Sequence, residues 1–252
     1  MNMPQPLLPA AYRLVAHEEV DSTNDEAKRI AREGAAEGTL VWALQQRAGR
    51  GRRGRFWSSP RGNLYASLIL RPACPPGRGA QLGFTAALAI GDALNELVPS
   101  PDDLACKWPN DVLLRGRKIA GVLVESEMGA GENLAFLVIG VGVNLVSAPP
   151  DVEFPATCLV GEGYPSPPPE LALSAFARHF AAWSLRWREE GFAPVRDAWL
   201  ARADALGKPI RVRLETATLH GKFVDLDQQG TLMLETEGEL RRITAGDVFP
   251  AL

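Results

Sequence analysis

The sequence predicts an α/β fold that ends in a small antiparallel barrel. Two observations carry this. Up to Leu206, short apolar runs of strand character alternate with helical stretches, the pattern of a sheet covered by helices. After Gly207 the pattern changes to short strands separated by glycine-containing turns, which suits a small barrel. The composition supports a packed core. Of 252 residues, 46% are hydrophobic and 23% charged, an ordinary globular balance.

The elements follow in order. Tyr12 to Val20 reads as a strand. Asp21-Ser22-Thr23-Asn24-Asp25-Glu26 then opens a helix, with Thr23 and Glu26 placed as a capping box and Gly34 as the stop. Ser22 and Thr23 read equally as caps and as ligand groups, since a helix N-terminus with spare hydroxyls is a polar site. Thr39 to Gln45 is a second strand. Asn63 to Leu70 is an apolar run that reads as a buried strand, Arg71 to Gly79 as a loop, and Ala80 to Leu97 as a buried helix.

Cys106 to Glu125 reads as strand, turn, strand, with the turn at Arg115-Gly116-Arg117. Strand alternation puts Lys118 and Ala120 on one face and Ile119 and Gly121 on the other. Trp108-Pro109-Asn110-Asp111 interrupts the first strand, because proline cannot donate to a ladder. Asp111 there reads either as a turn former or as a ligand group. Leu134 to Leu145 is a central strand. In it Gly140 and Gly142 leave room for something to approach, and Asn144 needs a partner. A Pro-rich connection from Pro149 to Pro169 leads to a helix ending near Glu190, and a second helix runs from Pro194 to Leu206. Strands at 210–214, 219–226, 232–235 and 240–244 complete the chain.

Composition also limits function. The net charge is −3, so no global positive field draws nucleic acid. The first ten residues lack the basic and apolar regions of a signal peptide, and no apolar run would span a membrane. Three scattered cysteines (Cys74, Cys106, Cys158) fit a reducing cytoplasm. His17, His179 and His220 have no metal-ligand spacing, so no resident metal site is expected.

The exception to this balance is Gln46 to Trp57, which holds Arg47, Arg50, Arg52, Arg53 and Arg55 with Gly49, Gly51 and Gly54. Glycine lets backbone N–H groups approach a ligand, and arginine fits phosphate and carboxylate oxygens. The composition alone leaves three readings open: a solvated basic loop, a nucleic-acid patch, or a phosphate cradle. With little apolar anchor and strong self-repulsion, the empty loop should be mobile. Trp57 offers a flat face at its exit for stacking on a base.

Taken together, Asp21-Ser22-Thr23-Asn24, Gln46 to Arg55, Lys107-Trp108-Pro109-Asn110-Asp111, Lys118-Ile119-Ala120-Gly121 and Gly140 to Asn144 occur in one order. This set resembles the biotin protein ligase family (biotin–acetyl-CoA-carboxylase ligases), from about Tyr12 to the C-terminus. The resemblance implies a mixed-sheet catalytic domain of the biotin/lipoate ligase type, residues 1–206. It implies an SH3-like barrel at 207–252. It implies ATP, biotin and Mg²⁺, formation of biotinyl-5′-AMP, and transfer of biotin to a lysine of a biotin carboxyl carrier protein.

By the same resemblance, Ser22, Thr23, Asn24, Gln46, Arg50, Gly51, Arg52, Lys118 and Gly121 would bind biotin. Arg53, Trp57, Asn110 and Asn144 would bind ATP or the adenylate. Lys118, Arg52 and Asp111 would be catalytic, Asp111 as orienter or base of the incoming lysine. The residues alone also allow Lys118 to be a strand-edge solubility lysine. Some family members carry an N-terminal DNA-binding domain. Too few residues precede Asp21 for one, so DNA is not an expected partner, and a homodimer is left open. A nucleic-acid-binding regulator and a lipoate ligase are the competing readings.

Overall fold

The computed structural model describes residues 5–98 and 103–251. The first four residues of the N-terminal stretch lie outside the described residues.

The first strand, β1 (Arg13–Val20), leads into helix α1 (Thr23–Arg32), and β2 (Thr39–Gln46) returns parallel to β1 with Val15 opposite Val41. β3 (Leu64–Leu70), α2 (Pro76–Ala80), α3 (Leu82–Leu97), β4 (Leu104–Lys107), β5 (Asp111–Leu114), β6 (Arg117–Met128) and β7 (Leu134–Val143) follow. The seven strands form one sheet in the order β1-β2-β3-β7-β6-β5-β4. All pairs except β1–β2 are antiparallel, so the sheet is mixed as expected.

The central position of β7 explains its apolar run, since a strand covered on both faces has no polar side. Ala27 and Ala31 of α1 pack with Val41, Ile69, Phe136 and Val138 on one face. The opposite face joins a larger core with α3, α4 (Pro169–Glu190) and α5 (Ala193–Leu200), including Leu88, Ile90, Phe176 and Trp199. The C-terminal part is an antiparallel sheet of β8 (Pro209–Arg213), β9 (Thr218–Leu226), β10 (Leu232–Thr236), β11 (Glu239–Ile243) and β12 (Asp247–Pro250), ordered β11-β10-β9-β8-β12. It is tied to the larger unit by the Trp108 indole, which donates to the Gly230 carbonyl at 3.0 Å, and by Arg196 on Asp225 at 2.6 Å.

Five local expectations are corrected. Ser22, not Thr23, is the cap of α1: its backbone is extended, and its hydroxyl accepts from the Asp25 N–H. Glu26 turns instead to Arg29 on the helix surface. The stretch 71–79 is not all loop, because Pro76 starts the one-turn helix α2. α5 stops at Leu200 because the chain beyond it pairs with β4: the Cys106 N–H donates to the Arg202 carbonyl and the Asp204 N–H to the Cys106 carbonyl. β12 was not foreseen, being four residues long and against the end of the chain.

The fifth correction matters for the site. β5 and β6 pair Val112 with Ala120 but Leu113 with Lys118, so Ile119 is an extra residue in the ladder. This bulge breaks the alternation and brings Lys118 beside Gly121. A Cβ added at Gly121 would lie 3.1 Å from Lys118 Cε.

Candidate active site

The five sequence blocks converge on one cavity of about 250 Å³, which also takes Gly246, Asp247 and Phe249 from the C-terminal sheet. Ser22, Thr23 and Asn24 enter from the start of α1 and Gln46 from the end of β2. Arg50, Gly51, Arg52 and Trp57 come from the arginine loop, Asn110 from the β4–β5 break, Asp111 from the start of β5, Lys118 and Gly121 from the β6 bulge, and Asn144 from just after β7. Arg53 is the one expected site residue outside the wall. Its φ of 56° turns the chain there, and its guanidinium lies 3.5 Å from Asp247.

One end of the cavity is cationic. Lys118 Nζ lies 2.7 Å from Asp111 Oδ1, and Lys107 Nζ lies 3.5 Å from Asp111 Oδ2. Arg52 donates to Asn110 Oδ1 at 3.4 Å. Burial raises the Asp111 pKa, but Lys118, Lys107 and Arg52 outweigh it and hold the carboxyl below its ordinary value. Burial lowers the pKa of Lys107 and of Arg52. Lys118, Lys107 and Arg52 thus gather around Asp111, with Asp247 also acting on Arg52 and Lys107, and the cations still outnumber these two carboxylates for an incoming anion.

The backbone of Lys118 is fixed by the Pro-rich connection. Its N–H donates to the Pro155 carbonyl at 2.8 Å, and its carbonyl accepts from the Thr157 N–H at 2.9 Å. Asn144 finds its partner in the same connection, donating to the Thr157 carbonyl at 3.1 Å.

The other end is a neutral hydrogen-bonding wall. The Thr23 N–H donates to Gln46 Oε1 at 2.8 Å, and Gln46 Nε2 donates to Ser59 Oγ at 2.8 Å. The floor between the ends is β6 and β7, where the missing glycine side chains are occupied by the protein's own residues. Asn24 lies against Gly140, and the Trp57 ring covers Gly142, where an added Cβ would sit 2.7 Å from the ring. Trp57 leaves the loop with its ring lying on the sheet. Lys118 Nζ is 5.1 Å from its ring centroid. Its indole N–H is buried without a partner among the described residues, a donor available to a ligand.

The arginine loop has the exposed Phe56 rather than an apolar anchor, yet it is not free. Carboxylates from three elements offset its repulsion. Arg50 pairs with Asp25 and Glu125, and Arg55 and Arg53 with Asp247. Burial raises the Asp247 pKa, but Arg55, Arg213 and Arg53 outweigh it, so it stays below the ordinary value. Backbone bonds from Gly51 to Arg55 and from Trp57 to Gly49 close the loop on itself.

Sequence reasoning missed Lys107, Glu125 and Asp247 as parts of this arrangement, and also Ser67, a buried β3 residue whose hydroxyl lies 2.6 Å from Asn24 Oδ1 and 2.8 Å from Thr23 Oγ1. Lys107 had a signal, its spacing across the break from Asp111. Asp247 had none, being distant in sequence and in the unforeseen strand.

Residues 17–144 match the biotin/lipoate A/B protein ligase family, and residues 205–249 match the biotin protein ligase C terminal domain. The chain belongs to the biotin/lipoate A/B protein ligase family. It is 45% identical to a biotin–[acetyl-CoA-carboxylase] ligase of Paracoccus denitrificans over 91% of this chain and 97% of that one. It is 32% identical to the bifunctional ligase/repressor BirA of Bacillus subtilis over 93% of this chain and 73% of that one. Among solved structures, the Aquifex aeolicus biotin protein ligase in complex with biotin and ATP superposes with a TM-score of 0.77 at 27% identity, covering 94% of this chain and 97% of that one. The SH3-like C-terminal unit of the family corresponds to the five-stranded sheet β8–β12. No helix among the described residues is long and apolar enough to cross a membrane.

Proposed function

We propose that this member of the biotin/lipoate ligase family activates biotin with ATP and transfers it to a lysine of a biotin carboxyl carrier protein. The observation that carries the reading is the two-ended cavity: Lys118, Lys107 and Arg52 at one end, Thr23 and Gln46 at the other. A ligand with a polar ring at one end and a carboxylate at the other spans such a site.

In the first step a biotin carboxylate oxygen attacks the α-phosphorus of ATP, and the bond to pyrophosphate breaks. Lys118 and Arg52 lie where negative charge gathers on the carboxylate and phosphate, and fixed cations there lower the barrier. In the second step a carrier lysine amine attacks the mixed-anhydride carbonyl and AMP leaves. Asp111 lies beside Lys118, and its depressed pKa makes it a poor base. It suits orienting the incoming ammonium better than taking its proton.

Ser22, Thr23, Asn24, Gln46, Arg50, Gly51 and Gly121 are assigned to biotin, and Trp57, Asn110 and Asn144 to the nucleotide. Arg53, held by Asp247, is assigned to the nucleotide only on release of that pair. We divide the chain into a catalytic domain, 1–206, and a C-terminal domain, 207–252.

Among the described residues no three His, Cys, Asp or Glu side chains group to hold a metal. Asp111 and Asp247 of the cavity are already paired with cations. The donor set fits Mg²⁺ carried in on the polyphosphate, where it supplies positive charge, not a resident ion. The buried free cysteines suit a cytoplasmic location.

The test is biotin-dependent ATP–pyrophosphate exchange with lipoate as control, followed by the mass of a carrier domain incubated with protein, biotin and ATP. A biotin-sized gain is expected. A folded enzyme that leaves a competent carrier unmodified rejects the reading, and exchange with lipoate alone reassigns the substrate.

A further inference from the structure

The β5–β6 hairpin delivers Lys118 to the site, and one carboxylate outside the cavity ties that hairpin down. The chain turns through Arg115 and Gly116, whose φ angles of 52° and 70° suit a tight two-residue connection. Arg117 and Lys118 follow at once. Because Ile119 is an extra residue in the ladder, pairing with β5 does not by itself fix the backbone at Lys118. The Lys118 N–H and carbonyl bond instead to Pro155 and Thr157 of the Pro-rich connection. The place of the ammonium therefore depends on how firmly that connection and the hairpin are joined.

They are joined at Glu162, which ends a single 3₁₀ turn, Val160–Glu162. Its Oε1 accepts from the Thr157 hydroxyl at 2.5 Å and pairs with Arg117. Its Oε2 accepts from Arg115 at 3.3 Å, and its backbone carbonyl accepts from the same guanidinium at 3.4 Å. The Glu162 side chain is only 2% exposed, while those of Arg115 and Arg117 are 46% and 47% exposed. Both carboxylate oxygens are thus engaged out of water by charge-assisted or hydroxyl donors, the strong and directional kind. Thr157 carries the tie into the site twice. Its N–H donates to the Lys118 carbonyl at 2.9 Å, and its carbonyl accepts from Asn144 Nδ2 at 3.1 Å. Glu162, Thr157, Arg115 and Arg117 all lie outside the cavity wall.

We propose that Glu162 is a positioning residue for Lys118, acting through Thr157 and the two arginines of the turn. This rests on the reading of Lys118 as the cation on the reacting carboxylate and phosphate. Stabilisation by a fixed charge depends on where that charge sits, and a misplacement of about 1 Å costs up to about 10²-fold in rate. Glu162→Gln keeps the shape and one acceptor oxygen. It has no charge for the guanidiniums, and its amide N–H groups cannot accept from them. The two arginines are half-exposed and stay hydrated when released, so the fold is expected to persist.

The test is a double-mutant cycle on adenylate formation with the full chain. Wild type, Glu162→Gln, Lys118→Ala and the double variant are followed as labelled biotinyl-5′-AMP formed in a single turnover. That readout spans the loss of about 10²–10³ expected for Lys118→Ala. Thermal melts confirm folding. Glu162→Gln is expected to slow the wild type about tenfold or more and to change the Lys118→Ala background less than about twofold, because no ammonium is left to place. An equal loss in both backgrounds would make Glu162 a general structural residue and overturn the proposal, as would a Glu162→Gln variant as fast as wild type. If Glu162→Gln does not fold, Thr157→Val, which removes the joint without removing a charge, enters the cycle with the same outcomes. A folded wild type that forms no adenylate rejects the ligase reading itself, a result distinguishable from failure of the cycle.

Discussion

Lys118 and Asp111 show what a single residue does here. Lys118 was readable in two ways from the residues alone, and its 2.7 Å contact with Asp111 inside the cavity removes the solubility reading. Lys118→Ala is expected to slow adenylate formation by about 10²–10³ while the fold persists, measured by pyrophosphate exchange beside a thermal melt. Unchanged exchange would return it to a structural role. Asp111→Asn tests the electrostatics through stability. The folded state depresses the Asp111 pKa, so the carboxylate contributes stability above its ordinary value of 3.8, and that contribution is lost as pH falls through the depressed value. At neutral pH the asparagine variant leaves Lys107 and Lys118 without a counter-charge and is expected to lose about 3 kcal/mol. The gap in melting temperature from wild type should be full at pH 7 and close only below about pH 4. A gap that did not vary with pH would mean that packing, not charge, holds Asp111.

At the scale of elements, most of the strands and long helices were legible because burial imposes a period. β7 is apolar along its length since both its faces are covered, and α1 shows one stripe because only one of its faces is. The bulge in β6 was illegible: Lys118-Ile119-Ala120-Gly121 alternates like any strand, and only pairing with β5 reveals the extra residue. The cap of α1 was misassigned by one residue, because Ser22 and Thr23 are both good caps and the choice depends on what Thr23 does elsewhere. The glycines of β7 were rightly read as sites of close approach, but the approaching groups are Asn24 and Trp57. Gly142→Ala is accordingly expected to push the Trp57 ring off the sheet, at about 1–3 kcal/mol. Melting temperature and tryptophan fluorescence would report it together. A variant with unchanged melting and emission would show that the ring has room to shift.

At the scale of the whole molecule, the arginine loop adds a further tie between the two units. Asp247, from the unforeseen last strand, holds Arg55, Arg53 and Arg213 at once. A bound adenylate would compete with Asp247 for the loop's arginines. Trypsin reads this directly, since it cuts after arginine. Cleavage between Arg50 and Arg55 is expected to be slower with biotin plus ATP than in the free protein. Asp247→Asn should accelerate cleavage of the free protein. Equal rates in wild type and variant would show that Asp247 does not restrain the loop.

By itself the sequence determined the α/β class and the change of architecture after Gly207, and it named most of the residues that meet in one cavity. Periodicity follows from burial, and chemistry follows from residue type. Thirteen of the fourteen expected site residues line one cavity; only Arg53 falls outside it. Tertiary structure alone decided which groups face each other. Lys107 meets Asp111 across a strand break, Glu125 reaches Asn24 from another strand, and Asp247 reaches the loop from the far end of the chain. Such pairings are set by where strands lie in the sheet and how they are registered. Alternation and turns in the chain constrain register, but which strands become neighbours is settled only in the packed sheet.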